Sequence, residues 1–119
     1  MNVPPVQSGQ CVVCRSPDGG MGYIPKRHKP IRADEITWVC DADLKFAKAV
    51  HHMAKGDWNR IEEEALRAGG DAAGAYLDKI GKTDLAVLTE EEWLTMLATF
   101  EEGRGRAMRE KLEAHTAPF

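Results

Sequence analysis

Two short stretches decide how this chain folds: Cys11-Val12-Val13-Cys14, and later Trp38-Val39-Cys40-Asp41-Ala42-Asp43. Two cysteines separated by two residues on a tight turn can both ligate one tetrahedral zinc ion. The second stretch runs from a β-branched and aromatic segment, typical of a strand, into a pattern typical of a helix. A cysteine knuckle, a short hairpin and a ligand pair at a helix start predict a treble-clef-like site for structural zinc.

The fourth ligand of this site is open between several groups. Asp43 stands where the second cysteine of the helix-end pair would be, and a carboxylate oxygen is an acceptable zinc ligand. His28, in the loop between the stretches, is the main alternative, and water is another. Without metal the cysteines would be small buried residues. Their Pro- and Gly-rich surroundings favour a bound metal, because a segment with few apolar residues needs a cross-link to fold stably.

After Cys40 the spacing of apolar residues predicts helices. We expect an α+β fold in one compact unit: a flexible arm over 1–10, a zinc-knuckle head over 11–43, and a body of three to four helices over 44–119 packed on the head. Gly69-Gly70 is predicted to break or kink a helix, and Gly81 to end one. Thr89-Glu90-Glu91-Glu92 is a capping box that starts the last helix.

The charge of the chain is unevenly distributed. Its 119 residues include 16 basic and 19 acidic side chains, for a net charge of −3. Residues 1–32 carry five basic groups and one acidic group (+4), whereas residues 33–119 carry 11 basic and 18 acidic groups (−7). This balance argues against a histone-like nucleic-acid binder. We expect no membrane span and see no secretory signal, so a reducing cytoplasm is the expected compartment.

Each half offers a candidate interface. The head could contact nucleic-acid phosphates through Lys26, Arg27, Lys29 and Arg32, or these cations could merely balance the charge of zinc thiolates. The body could bind a positively charged host protein or nucleoprotein complex through Glu62, Glu63, Glu64, Glu90, Glu91 and Glu92, although solvated helix faces explain these residues more simply. The chain contains no Gly-x-Ser-x-Gly or His-Glu-x-x-His motif, and we predict no enzymatic activity.

Three further segments carry a resemblance: Gly69-Gly70-Asp71-Ala72-Ala73-Gly74-Ala75-Tyr76-Leu77-Asp78, Gly81-Lys82-Thr83-Asp84-Leu85-Ala86, and Glu91-Glu92-Trp93. Together with the cysteine motifs, they make most of residues 11–100 resemble small zinc-knuckle proteins of unknown function carried by proteobacterial phages and prophages. The helix-end pair of that family is two cysteines, and this chain differs from it at Asp43. The resemblance implies a phage protein in a bacterial host cell and supplies no activity.

From the residues and this resemblance together we expect a non-enzymatic zinc-binding protein that acts on a host partner. It would work as an anti-CRISPR-like inhibitor or a DNA mimic. A zinc-finger regulator that binds nucleic acid through the head is one alternative. A metal-dependent nuclease is another, and it requires an open fourth position on the metal. The oligomeric state stays open.

Overall fold

A computed structural model of the chain describes residues 9–17, 20–24 and 35–116. It is mostly helical with one small hairpin, which confirms the coarse α+β prediction. The elements are β1 (Met21–Tyr23), β2 (Thr37–Val39), a 3₁₀ segment (Asp41–Phe46), α1 (Ala47–His52), α2 (Lys55–Ile80), a 3₁₀ turn (Leu85–Val87) and α3 (Glu90–Thr116). His28 and the basic loop residues Lys26, Arg27, Lys29 and Arg32 lie outside the described residues, as does most of the predicted arm.

The hairpin anchors the cysteine knuckle. β1 and β2 pair antiparallel, with Gly22 opposite Trp38. The backbone N–H of Val12 donates to the Trp38 carbonyl at 3.0 Å, which places the knuckle beside β2. Val39 of β2 and Val13 of the knuckle are fully buried. Thr37 and Val39 alternate with the less buried Trp38, so one face of β2 packs against the core.

Helices α2 and α3 form a long antiparallel pair whose contact depends on glycine. A Cβ added at Gly69 would lie 2.9 Å from the Phe100 carbonyl oxygen, and one at Gly103 would lie 2.7 Å from the Cβ of Ala72. The predicted break at Gly69-Gly70 is therefore wrong, since α2 is continuous from Lys55 to Ile80. The close packing of α3 stabilises the helix where glycine propensity alone would weaken it.

The connection between these two helices follows the predicted signals. Gly81 adopts a left-handed φ of 70° and ends α2, and the Lys82 N–H donates to the Leu77 carbonyl at 3.1 Å. The Thr89 hydroxyl accepts from the Glu92 N–H at 3.1 Å, while Glu92 Oε1 accepts from the Thr89 N–H at 2.9 Å. Both the predicted helix end and the predicted capping box are confirmed.

The apolar core lies at one end of the helix pair. It contains Ile61 and Ala65 of α2 and Met108 and Leu112 of α3. These side chains pack with the buried residues of the segment before α2: Cys11, Val13, Val39, Phe46 and Ala47. Among the described residues between 71 and 102, a stretch that we call the distal tip, Met96 is the one buried apolar side chain. Neither long helix has the sustained apolar stretch that a membrane crossing requires, judged over the described residues.

Candidate metal centre

The knuckle is a tight turn that closes on itself. The Arg15 N–H donates to the Cys11 carbonyl at 2.8 Å, and the Cys11 N–H donates to the Ser16 carbonyl at 3.0 Å. Arg15 has a left-handed φ of 60°, which costs a residue with a Cβ about 1 kcal/mol. Its guanidinium Nη2 lies 3.1 Å from Glu62 Oε1, and both side chains are mostly buried. This ion pair fixes the knuckle to α2.

The second pair of donors repeats the spacing of the first. Cys40 follows β2 directly, and the Asp43 N–H donates to the Cys40 carbonyl at 3.0 Å. This first turn of the 3₁₀ segment brings the Asp43 carboxylate back over Cys40. Asp43 is 0% exposed. A buried carboxylate needs strong partners, because an uncompensated charge in a protein interior is costly.

The two pairs meet in one cluster. The sulfur atoms of Cys11, Cys14 and Cys40 and one carboxylate oxygen of Asp43 all lie within 4.8 Å of one another. The Sγ atoms of Cys14 and Cys40 are 3.7 Å apart. Asp43 Oδ2 lies 3.1 Å from the Cys40 Sγ and 3.5 Å from the Cys11 Sγ. All three cysteines are free of disulfides.

Two of these separations, 3.7 and 3.5 Å, match the edges of a metal tetrahedron, and the third, 3.1 Å, is shorter. With Zn–S bonds of about 2.3 Å and a Zn–O bond of about 2.1 Å, two sulfurs lie about 3.8 Å apart and a sulfur and an oxygen about 3.6 Å apart. Three soft thiolate donors also disfavour magnesium and calcium, which take oxygen ligands. The predicted residues Cys11, Cys14, Cys40 and Asp43 are thus brought together into a cluster that could hold a metal ion.

Arg109 of α3 orients the carboxylate, a contact that no sequence pattern predicts. Its Nε donates to Asp43 Oδ1 at 2.8 Å, and its Nη2 donates to Oδ2 at 3.3 Å. Both carboxylate oxygens therefore contact the guanidinium, and Oδ2 also faces the sulfurs. Such a partner behind a ligand fixes its orientation and tunes its affinity for metal. Arg109 follows Asp43 by 66 residues, so no local spacing connects the two.

In the metal-free cluster the Asp43 carboxylate is charged, whereas the thiols of Cys14 and Cys40 are neutral. Burial raises the pKa of Asp43, but hydrogen bonds from Arg109 and from the Cys40 thiol outweigh it, so the pKa lies below its ordinary value. Burial, with a further contribution from the Asp43 carboxylate, raises the pKa of Cys40 to about 12. Burial also raises the pKa of Cys14. These two thiols stay protonated at neutral pH unless a divalent cation displaces their protons.

The predicted acidic partner residues are mostly engaged within the chain. Glu62 pairs with Arg15, Glu63 with Arg67, Glu64 with Lys111 and Glu92 with Lys82, at N–O distances of 2.6–3.1 Å. Glu90 and Glu91 are exposed on the first turn of α3. A partner-binding role for these residues stays a prediction, and Glu90 and Glu91 are the two best placed for it.

Comparison with known proteins places the chain among its relatives. No curated protein and no solved structure matches it. A family described as "Family of unknown function (DUF6511)" matches residues 56–119, which is more than half of the chain and spans nearly all of α2 and the whole of α3. The chain therefore belongs to DUF6511, a family of unknown function.

Proposed function

We propose that the protein binds one structural zinc ion through Cys11, Cys14, Cys40 and Asp43, and that it acts by binding a partner protein. The observation that carries the zinc proposal is the cluster of four donor atoms, all within 4.8 Å of one another, because the ligands of one zinc ion must be this close. Zinc would be held by three sulfurs and by Asp43 Oδ2, with Arg109 behind the carboxylate. The knuckle, the hairpin and the ligand pair at a 3₁₀ start make the site treble-clef-like.

A structural role follows from the number and placement of the donors. Four protein donors fill a tetrahedral zinc, and a catalytic zinc keeps one position for water or substrate. The donors also come from separate parts of the chain: the knuckle supplies two, and the β2 end and the 3₁₀ segment supply the others. Arg109 extends the linkage to α3. Zinc would thus cross-link the segments of the head and fix them to the helix pair.

A binding function, in place of catalysis, is supported by the same donor count and by the surface of the body. The net charge of −7 over residues 33–119 suits a positively charged partner. The resemblance to phage proteins supports a host factor as that partner, and inhibition of a host defence complex as the outcome. No described residue favours a nucleic-acid interface or a nuclease centre over this proposal.

Cobalt substitution tests the zinc site and its closure together. Protein refolded with Co²⁺ should bind about one ion per chain and show thiolate-to-cobalt charge transfer with the strong visible bands of four-coordinate cobalt. Added azide should leave the spectrum unchanged, since no position is open. The Cys14→Ser variant should weaken binding, and Asp41→Asn, an exposed neighbour in the same 3₁₀ segment, should not.

Two results would contradict the proposal. An absence of cobalt or zinc binding by folded protein would remove the metal site. A spectrum that azide shifts would mean an open position, and would bring back the metal-dependent nuclease as the better explanation.

A further inference from the structure

The distal tip exposes large apolar side chains close together. On α3, Trp93, Leu94 and Leu97 are 41%, 57% and 42% exposed, and in the preceding 3₁₀ turn Leu85 and Val87 are 50% and 58% exposed. Large apolar side chains on protein surfaces usually occur singly, but here five lie within 13 positions of the chain. Where such side chains form a contiguous apolar patch, they typically mark an interaction site.

The same surface carries a strong negative charge. Residues 71–102 contain eight acidic and two basic side chains, for a net charge of −6, and two of the acids, Glu101 and Glu102, pair with Arg104 and Arg106 just beyond this stretch. One of the two cations, Lys82, is already paired with Glu92 at 2.6 Å. Glu90 and Glu91 stand on the same turn of α3 that begins the apolar patch. A partner for this surface must therefore combine apolar and basic groups.

One face of α3 offers an open surface on which a helix could lie. Glu90, Leu94 and Ala98 are spaced i, i+4, i+8 and share this helix face. With Glu91 and Thr95 they line a shallow, open depression. Leu94 lies between the two carboxylates at one end and the small Ala98 at the other. An amphipathic helix can lay its apolar stripe along such a surface.

We propose that the distal tip docks a basic amphipathic helix of a partner protein, with leucine-like side chains against Leu94 and Leu97 and lysine or arginine beside Glu90 and Glu91. This proposal rests on the protein-binding part of the proposed function and is independent of the zinc site. A second copy of this chain is the disfavoured occupant, because two tips of charge −6 would repel each other.

A synthetic peptide tests the chemistry of this surface. The probe is a fluorescently labelled peptide of leucine and lysine, about 18 residues long, with its leucines at helical spacing. A scrambled peptide of the same composition is the control for charge alone. Binding is measured by fluorescence anisotropy at about 0.15 M salt, where the screening length is about 8 Å. Zinc content is measured on the same samples.

The variants are chosen in matched pairs at exposed positions. Leu94→Ser should weaken binding about tenfold, the loss of one buried leucine contact. Its control is Leu44→Ser, in the 3₁₀ segment far from the tip in sequence, where the side chain is 46% exposed. The double substitution Glu90→Gln with Glu91→Gln should weaken binding and flatten its salt dependence. Its control is Glu110→Gln, which is exposed on the same helix. Neither control should change the affinity.

Three outcomes would overturn the proposal: equal binding of the scrambled peptide, tip variants that bind like the parent protein, or absence of binding by the periodic peptide. Self-association in sedimentation experiments that Leu94→Ser abolishes would instead assign the surface to a second copy. Loss of peptide binding in a zinc-loaded protein refutes this proposal alone, and binding by a protein that takes up no metal refutes the zinc proposal alone.

Discussion

Replacing Asp43 by asparagine probes the centre of the molecule with almost no change in size. Asp43 is fully buried and accepts two hydrogen bonds from Arg109, at 2.8 and 3.3 Å. The amide keeps one acceptor oxygen but loses the negative charge. It leaves the Arg109 guanidinium without its ion-pair partner and offers the metal a poorer ligand.

The expected magnitude follows from the burial of the two partners. Removing one member of a buried ion pair typically costs about 3–5 kcal/mol. Arg109 is 42% exposed, so water compensates part of its loss, and we expect about 2–3 kcal/mol for metal-free protein. In a domain of this size that corresponds to a fall of about 10 °C in Tm. In the presence of zinc the loss should be larger, because the fourth ligand is weakened as well.

Thermal unfolding followed by circular dichroism, in chelator and in zinc, measures both quantities. Asp41→Asn is the matched control, since Asp41 is exposed in the same 3₁₀ segment, and it should change stability by less than about 0.5 kcal/mol. Arg109→Met leaves the fully buried Asp43 carboxylate without its partner, so it should cost more than Asp43→Asn in chelator, about 3–5 kcal/mol, but retain more of the zinc stabilisation. Equal stability of Asp43→Asn and the parent protein in both buffers would refute the account of the site.

Gly70→Ala should raise the free energy of unfolding by about 0.5–1 kcal/mol in urea titrations, because nothing lies within 4 Å of the added Cβ, whereas Gly69→Ala should lower it through the 2.9 Å approach to the Phe100 carbonyl. Hydrogen bonds from Lys82 and then from the Thr89 N–H lower the pKa of Glu92 from 4.5, so the Glu92 carboxylate stabilises the fold above that pH and stops doing so as the pH falls below it. In pH titrations of helicity, Glu92→Gln should remove this acid-induced loss of stability. Arg104→Met should raise Tm, because Arg104 is 4% exposed, its Nε and Nη2 make no hydrogen bond within the described chain, and its ion pair with the exposed Glu101 is long at 3.7 Å. A lower Tm for Arg104→Met would mean that this ion pair outweighs the cost of burying the guanidinium.

Local spacing predicted the four residues of the cluster that could hold a metal, while it left His28 and water open as alternatives to Asp43. Cys11 and Cys14 are adjacent on one turn, and Asp43 returns to Cys40 through one turn of helix, so each pair is fixed by geometry within four residues. Their meeting depended only on a hairpin between them. The His28 alternative lies outside the described residues and stays a prediction, as do the basic loop contacts.

Contacts between distant residues were not predictable in the same way. Arg109 reaches Asp43 only because α3 returns along α2 to the head, and no periodicity encodes that pairing. Gly69 was misread for the same reason: its low helix propensity is local, but the approach of Phe100 that requires a glycine is tertiary. Helical spacing also cannot tell a core face from an exposed face, so the exposure of Trp93 and Leu94 is visible only in the structure.

X-ray absorption at the zinc edge of zinc-saturated protein is the most direct test of whether three cysteines and Asp43 bind zinc. We expect one zinc per chain, bound by three sulfurs at about 2.3 Å and one oxygen at about 2.0–2.2 Å. We also expect loss of the oxygen scatterer or of tight binding in Asp43→Ala. Folded protein without zinc, or a zinc ion whose shell contains fewer than three sulfurs, would contradict the account.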